Sequence, residues 1–265
     1  MHDVWVVELW GGGVGSFPVC RRRVARVLID VLFCVCATPR PAPPQLDHAI
    51  PEDIQTAARN VVPKVEKARL YRGRGGEYMR GAVCRLIEAL GDSKLPLTRR
   101  LVLRLLDTLD DCLRHPHDTI QNAAAAGLRA LVRSRLAEAS PEVHTRLPLK
   151  HCKLLASPPN ATVSRGSALA LGALPRAMLA PAPEMLETVV ATLIAATRLQ
   201  PKADDRDAET RRNCVQSLAT LVEVVGPCAG RGGDGEGDGG LTPQQVRRIY
   251  AALLLSVRDY ATDKR

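Results

Sequence analysis

The residues best suited to holding a phosphate are YRGRGG at 71–76, where Gly73, Gly75 and Gly76 stand among Arg72 and Arg74. A dinucleotide loop requires Gly-x-Gly-x-x-Gly between a strand and a helix, so that backbone N–H groups can close on the pyrophosphate. Tyr78 occupies the place of the third glycine, and the stretch reads instead as a bend leading into a helix. WVVELWGGGVGS at 5–16 fails in the same way, because no glycine falls at the required position and no crossover helix with a later acidic ribose ligand follows. Both stretches would have to serve any nucleotide-using enzyme, which is therefore the remote alternative.

Metal and nucleophile chemistry fare no better. His115, His117, His151 and Cys152 are the one cluster of soft ligands. His-Pro-His closes a helix where a dipolar ring suits the free carbonyls, while His151 and Cys152 fall in a Leu-rich helix. Neither a Ser/His/Asp nor a Cys/His spacing identifies a nucleophile. Asp110 with Asp111 and Asp204 with Asp205 read as solvated faces and helix starts rather than acid/base dyads. No catalytic residue, cofactor or metal is expected.

The eight cysteines include no Cys-x-x-Cys pair and read as thiols of a reducing compartment; Cys84, Cys112 and Cys214 lie in apolar helical stretches, where a thiol acts as a small hydrophobe. In 265 residues the aromatic share is only 3%, which favours close-packed helices over strands. The net charge of +9 suits an acidic partner. Because 37 basic residues are interspersed with 28 acids, and aromatic stacking platforms are few, nucleic acid is not the expected one. The apolar run at 24–37 is too short to cross a bilayer and is broken by Asp30, so no membrane insertion is expected.

What must position the remaining residues is a repeat. YMRGAVCRLIEAL from Tyr78, IQNAAAAGLRALV from Ile120, VSRGSALALGALP from Val163 and TRRNCVQSLATLV from Thr210 align without gaps, their starts 42, 43 and 47 residues apart. The sixth column is Val83, Ala125, Ala168 and Val215; the ninth is Leu86, Leu128, Leu171 and Leu218; the twelfth is Ala89, Leu131, Leu174 and Leu221. Spacing of three puts these columns on one buried helical stripe. Further helical patterns lie between, at 97–115, 141–156, 182–199 and 242–260. Helix pairs at a period in the forties, without strand signals, predict an all-α, HEAT/armadillo-like α-solenoid of antiparallel pairs.

Pro63 and Pro148 fall inside helical patterns and predict breaks, while Pro175 predicts a helix end. Thr242 is the expected N-cap before Pro243. The domain reading follows: helical repeats over 47–265, interrupted by a disordered Gly-rich loop at 226–240, after an unrelated extension at 1–46. That extension is rich in proline and glycine and reads as disordered or as a mis-predicted start.

The chain also resembles the tubulin-folding cofactor D family, the tubulin-specific chaperones D. The resemblance rests on NVVPK at 60–64, ARLYRG at 68–73, the glycine pair with MRGAVCRLIE up to Glu88, SALALGALP at 167–175, AETRR at 208–212 and IYAALLLSVRDYATDKR at 249–265. It covers about residues 50 to 265 and corresponds to a middle to C-terminal portion of a longer family solenoid. The resemblance implies a cytoplasmic, microtubule-associated chaperone that binds β-tubulin after chaperonin release and assists αβ-heterodimer assembly. Its implied partners are the sister cofactors C and E and a small Arf-like GTPase, and the complex stimulates GTP hydrolysis by tubulin. It implies no catalytic residue. Tyr71, Arg72 and Arg74 are the expected surface contacts, and a general HEAT adaptor, such as a phosphatase scaffold or transport receptor, is the alternative binding role.

Overall fold

The computed structural model describes residues 51–73, 75–93, 95–135, 141–198, 207–228 and 239–263. The extension at 1–46 lies outside them. The described residues form ten helices: α1 (Glu52–Lys67), α2 (Gly76–Asp92), α3 (Arg99–Leu113), α4 (Asp118–Arg135), α5 (Pro141–Ala156), α6 (Ala161–Gly172), α7 (Arg176–Leu179), α8 (Pro183–Thr197), α9 (Ala208–Val225) and α10 (Pro243–Asp263). No strand occurs among them beyond an isolated bridge of Pro227 to Leu241. The chain divides into two compact units, 1–70 and 71–265.

In the first unit, α1 buries Ala58, Val61, Val62 and Val65, an i, i+3, i+4, i+7 stripe. Glu52 and Asp53 open it and Lys64 and Lys67 close it, each charge complementing the macrodipole. The break expected at Pro63 does not occur, since the helix runs through it. The buried stripe continues past the proline, and the last turn is closed by Ala68 N donating to Lys64 O at 3.0 Å.

The second unit is an array of antiparallel helix pairs. Short connections fold α3 onto α4 and α5 onto α6, and α8 packs on α9. Helices α2, α4, α6 and α9 pack in succession as one layer, while α5, α8 and α10 pack in succession as the other. This is an all-α helical repeat. In the shared core Val83, Leu86, Leu128, Leu131, Ala168, Leu171, Leu174, Leu218 and Leu221 are each at most 1% exposed. Val215 differs, being only half-buried. The buried stripe of α9 runs Thr210, Cys214, Leu218, Leu221, Val225, which leaves Val215 about 100° round the helix from Cys214.

Two glycines set the helix separations. A side-chain carbon at Gly127 would lie 2.9 Å from Cys84 O, and one at Gly166 would lie 1.9 Å from Leu113 O. Backbone therefore rests on backbone between α4 and α2, and between α6 and the end of α3.

Pro148 is likewise carried inside α5 rather than breaking it. Pro148, Cys152 and Leu155 are all buried on one stripe. Burial of the turns beyond the proline offsets the roughly 3 kcal/mol a helix loses at an interior proline. Near Pro175 a helix does end, α6 closing at Gly172 with Ala173 as its C-cap, but Pro175 itself is the N-cap of the short α7, which the sequence pattern did not reveal. Thr242 caps α10, accepting from Gln245 N at 3.2 Å while Gln245 Oε1 accepts from Thr242 N at 2.8 Å. Of the Gly-rich segment 226–240, residues 229–238 lie outside the described residues. Its two ends are paired, Cys228 N donating to Leu241 O at 2.9 Å and Leu241 N to Gly226 O at 2.8 Å.

Candidate functional site

The bend at 71–76 delivers a group of polar side chains to the start of α2. Gly75 takes φ +83° as the N-cap, a left-handed conformation costly for other residues, and Gly76 N donates to Gly73 O at 3.1 Å. The chain doubles back so tightly that a side chain at Gly76 would lie 2.2 Å from Tyr71 O. Tyr71 is thereby laid beside α2, and Arg80 places its guanidinium 4.6 Å from the ring centroid. Tyr71 is half-buried under this cation, Arg72 is exposed, and Arg74 lies outside the described residues. The structure thus brings Tyr71 to Arg80 rather than to Arg72.

Arg80 also reaches inward, Nη1 standing 4.0 Å from Sγ of Cys112 at the end of α3. The following turn is tied on both sides. His117 Nε2 meets Glu77 Oε1 at 2.9 Å, His115 Nδ1 accepts from His117 N at 3.2 Å, and Gln121 Nε2 donates to His115 O at 2.8 Å and Thr162 O at 2.9 Å. Burial, with Arg80 and His117 nearby, pushes the His115 imidazole below its ordinary range. His115 and His117 stack at 5.2 Å. His151 is elsewhere, 2% exposed and 3.8 Å from Asp110 Oδ1. Among the described residues no three His, Cys, Asp or Glu side chains form a group able to hold a metal.

The first layer carries a second polar group. Arg165 grips Asp207 through Nε at 2.9 Å and Nη2 at 2.8 Å, and Glu209 through Nη1 at 2.5 Å. Asn213 Nδ2 donates to Arg165 O at 3.3 Å and Ser217 Oγ to Ala168 O at 2.8 Å. Burial alone would raise the Asp207 carboxyl, but the bonds from Arg165 and Thr210 more than offset it and hold it below the usual carboxylate range. Arg133 to Asp92, at 2.7 Å, repeats the motif between α4 and α2. These bonds fix repeat register; they align no nucleophile with a base.

Surface available to a large partner includes Tyr78 at 82%, Tyr250 at 58% and Leu254 at 70% exposure. The column alignment begins on Tyr78, yet its periodicity drew attention to the buried columns. Tyr250 and Leu254, one turn apart, fall within a pattern read only as a helix.

No family model matches the chain. Among solved structures it is similar to a designed armadillo repeat protein, 13% identical, with 89% of this chain and 91% of that one covered and a TM-score of 0.33. It is similar also to an engineered protein, 15% identical over 81% of this chain and 86% of that one, with a TM-score of 0.33. A designed armadillo repeat protein in complex with the peptide (KR)4 is 15% identical over 81% of this chain and 88% of that one, with a TM-score of 0.32.

Proposed function

We propose that this chain is a non-enzymatic, protein-binding helical repeat of the tubulin-folding cofactor D kind. It holds β-tubulin and assists αβ-heterodimer assembly in the cytoplasm, at the microtubule cytoskeleton. The reading is supported by the order of the resembling segments and where they fall along the helices: SALALGALP is the second half of α6 with its closing turn, AETRR opens α9, and IYAALLLSVRDYATDKR begins within α10. That ordered placement carries the proposal. A two-layer array of helix pairs suits the role physically, because it offers a continuous face to a client larger than any pocket. The chain works by contact, and GTP hydrolysis by tubulin is stimulated only with cofactors C and E and the small Arf-like GTPase.

The test is capture on immobilised chain. Retention of isolated β-tubulin above that of an acidic globular control supports the proposal. Equal retention of both reduces the chain to a general adaptor, and measurable GTP turnover by the chain alone contradicts the non-enzymatic role. Among the described residues no helix is long and apolar enough to cross a membrane.

A further inference from the structure

We propose that the closing turn of α1 is a docking site for an acidic, extended segment of a partner protein, held by Lys64, Lys67 and Arg69. The backbone of Arg69 carries the inference. It takes φ +53°, and among the described residues it is the only one other than glycine with a positive φ. That left-handed conformation is costly for a residue with a side chain, and at a helix end it is the place glycine usually fills. Around Arg69 the end of α1 is a complete Schellman closure. Ala68 is the C-cap, Arg69 N donates to Glu66 O at 2.9 Å, and Leu70 N donates to Val65 O at 3.2 Å. Glycine would serve this closure better, so what arginine adds here is its guanidinium.

That guanidinium is one of three uncommitted cations. Lys64, Lys67 and Arg69 are all exposed, and among the described residues none makes a hydrogen bond or ion pair through its side chain. Lys64 and Lys67 stand three positions apart on one face of α1, and Arg69 follows its cap. Glu66, the one acid between Val61 and Leu70, is half-buried. Lysines in a last turn complement the macrodipole, which accounts for Lys64 and Lys67 without any ligand. Arg69 lies beyond the helix and has no such account. Because the negative end of α1 opposes an anion, attraction at this turn comes from the three side chains.

The chemistry favours carboxylates over nucleic acid. Tyr71, the nearest aromatic ring in sequence, is half-buried and already faced by Arg80, so no stacking platform is offered to a base. Carboxylates need none. An extended chain turns every second side chain to the same side, so a run of Glu or Asp brings successive carboxylates to the three cations. The site rests on the protein-binding reading above and names the chemistry of the segment bound.

Fluorescence anisotropy of a labelled Glu-only octapeptide with the full chain, at about 10 mM salt where the Debye length is about 30 Å, tests this. Arg69→Gly is expected to weaken binding about threefold, the loss of one exposed charge pair. Its Tm is expected to stay level or rise by about 2 °C, since glycine relieves the left-handed strain. Adding Lys64→Gln and Lys67→Gln is expected to bring the loss to at least about tenfold. Arg85→Gln removes the same net charge from an exposed position on α2 and is expected to leave binding unchanged. Equal weakening in Arg85→Gln would assign binding to overall charge, and tighter binding of a single-stranded RNA octamer would assign the turn to nucleic acid; either overturns the proposal. So does unchanged peptide binding in Arg69→Gly, or a lower Tm, which would show that the arginine serves the fold. Arg69-dependent peptide binding by a chain that does not retain β-tubulin supports the docking site and overturns the client reading. Retention of β-tubulin without peptide binding does the reverse.

Discussion

Leu171 and His151 are both buried residues, but they report on different terms of stability. Leu171, on α6, is 0% exposed. Its replacement by alanine is expected to cost about 2–5 kcal/mol, read as a lower urea midpoint at unchanged slope, because the close-packed neighbours cannot collapse into the space. A loss below about 0.5 kcal/mol would place the residue outside the core. At His151 the quantity is a proton. Burial depresses its pKa from 6.5 to about 4, Asp110 opposing the shift and Lys150 and Arg114 adding to it. Between those values the unfolded chain binds a proton that the folded chain refuses, so stability is complete above pH 6.5 and falls as pH drops towards 4. His151→Gln is expected to flatten this acid limb of Tm against pH, by an amount on the order of 2–4 kcal/mol. A limb unchanged in the variant would assign it to carboxylates.

At the scale of the element, the helix separations rest on missing side chains. A carbon added at Gly166 would meet Leu113 O at 1.9 Å, backbone that no rotamer change can move aside. Gly166→Ala is therefore expected to destabilise by at least about 1–3 kcal/mol, although alanine is the better helix former, and chemical denaturation would show it. Stabilisation instead would mean that α6 stands away from α3. The same balance of local preference against packing explains the prolines. Pro63 and Pro148 carry a real local cost, but each precedes residues whose burial continues the helix. Pro175 stands at a point where α6 has already turned, so its local preference and the fold agree.

For the whole molecule, a net charge of +9 sets the expectation for binding. Capture of β-tubulin should weaken with added salt, since the Debye length falls from about 10 Å at 0.1 M to about 3 Å at 1 M. A fraction retained at high salt would belong to apolar contacts such as Tyr78, Tyr250 and Leu254, whose exposure singles them out. Replacing exposed Arg72 with Glu is expected to reduce capture several-fold while leaving helicity intact, and unchanged capture would remove the 71–76 bend from the interface.

Helix type, the main helices and most of the buried columns, Val215 and Ala89 excepted, were readable in the residues because each depends on spacing along a single helix, where three and four positions share a face. Leu86, Leu128, Leu171 and Leu218 needed no partner to be recognised as core. Tertiary structure alone decided which residues from different helices meet. The stacking of Tyr71 on Arg80, the reach of Arg80 to Cys112 across 32 positions and the burial of His151 beside Asp110 all come from how neighbouring helices are spaced and rotated. That spacing is fixed by contacts such as backbone against Gly127 and Gly166, which leave no periodic signal in the chain.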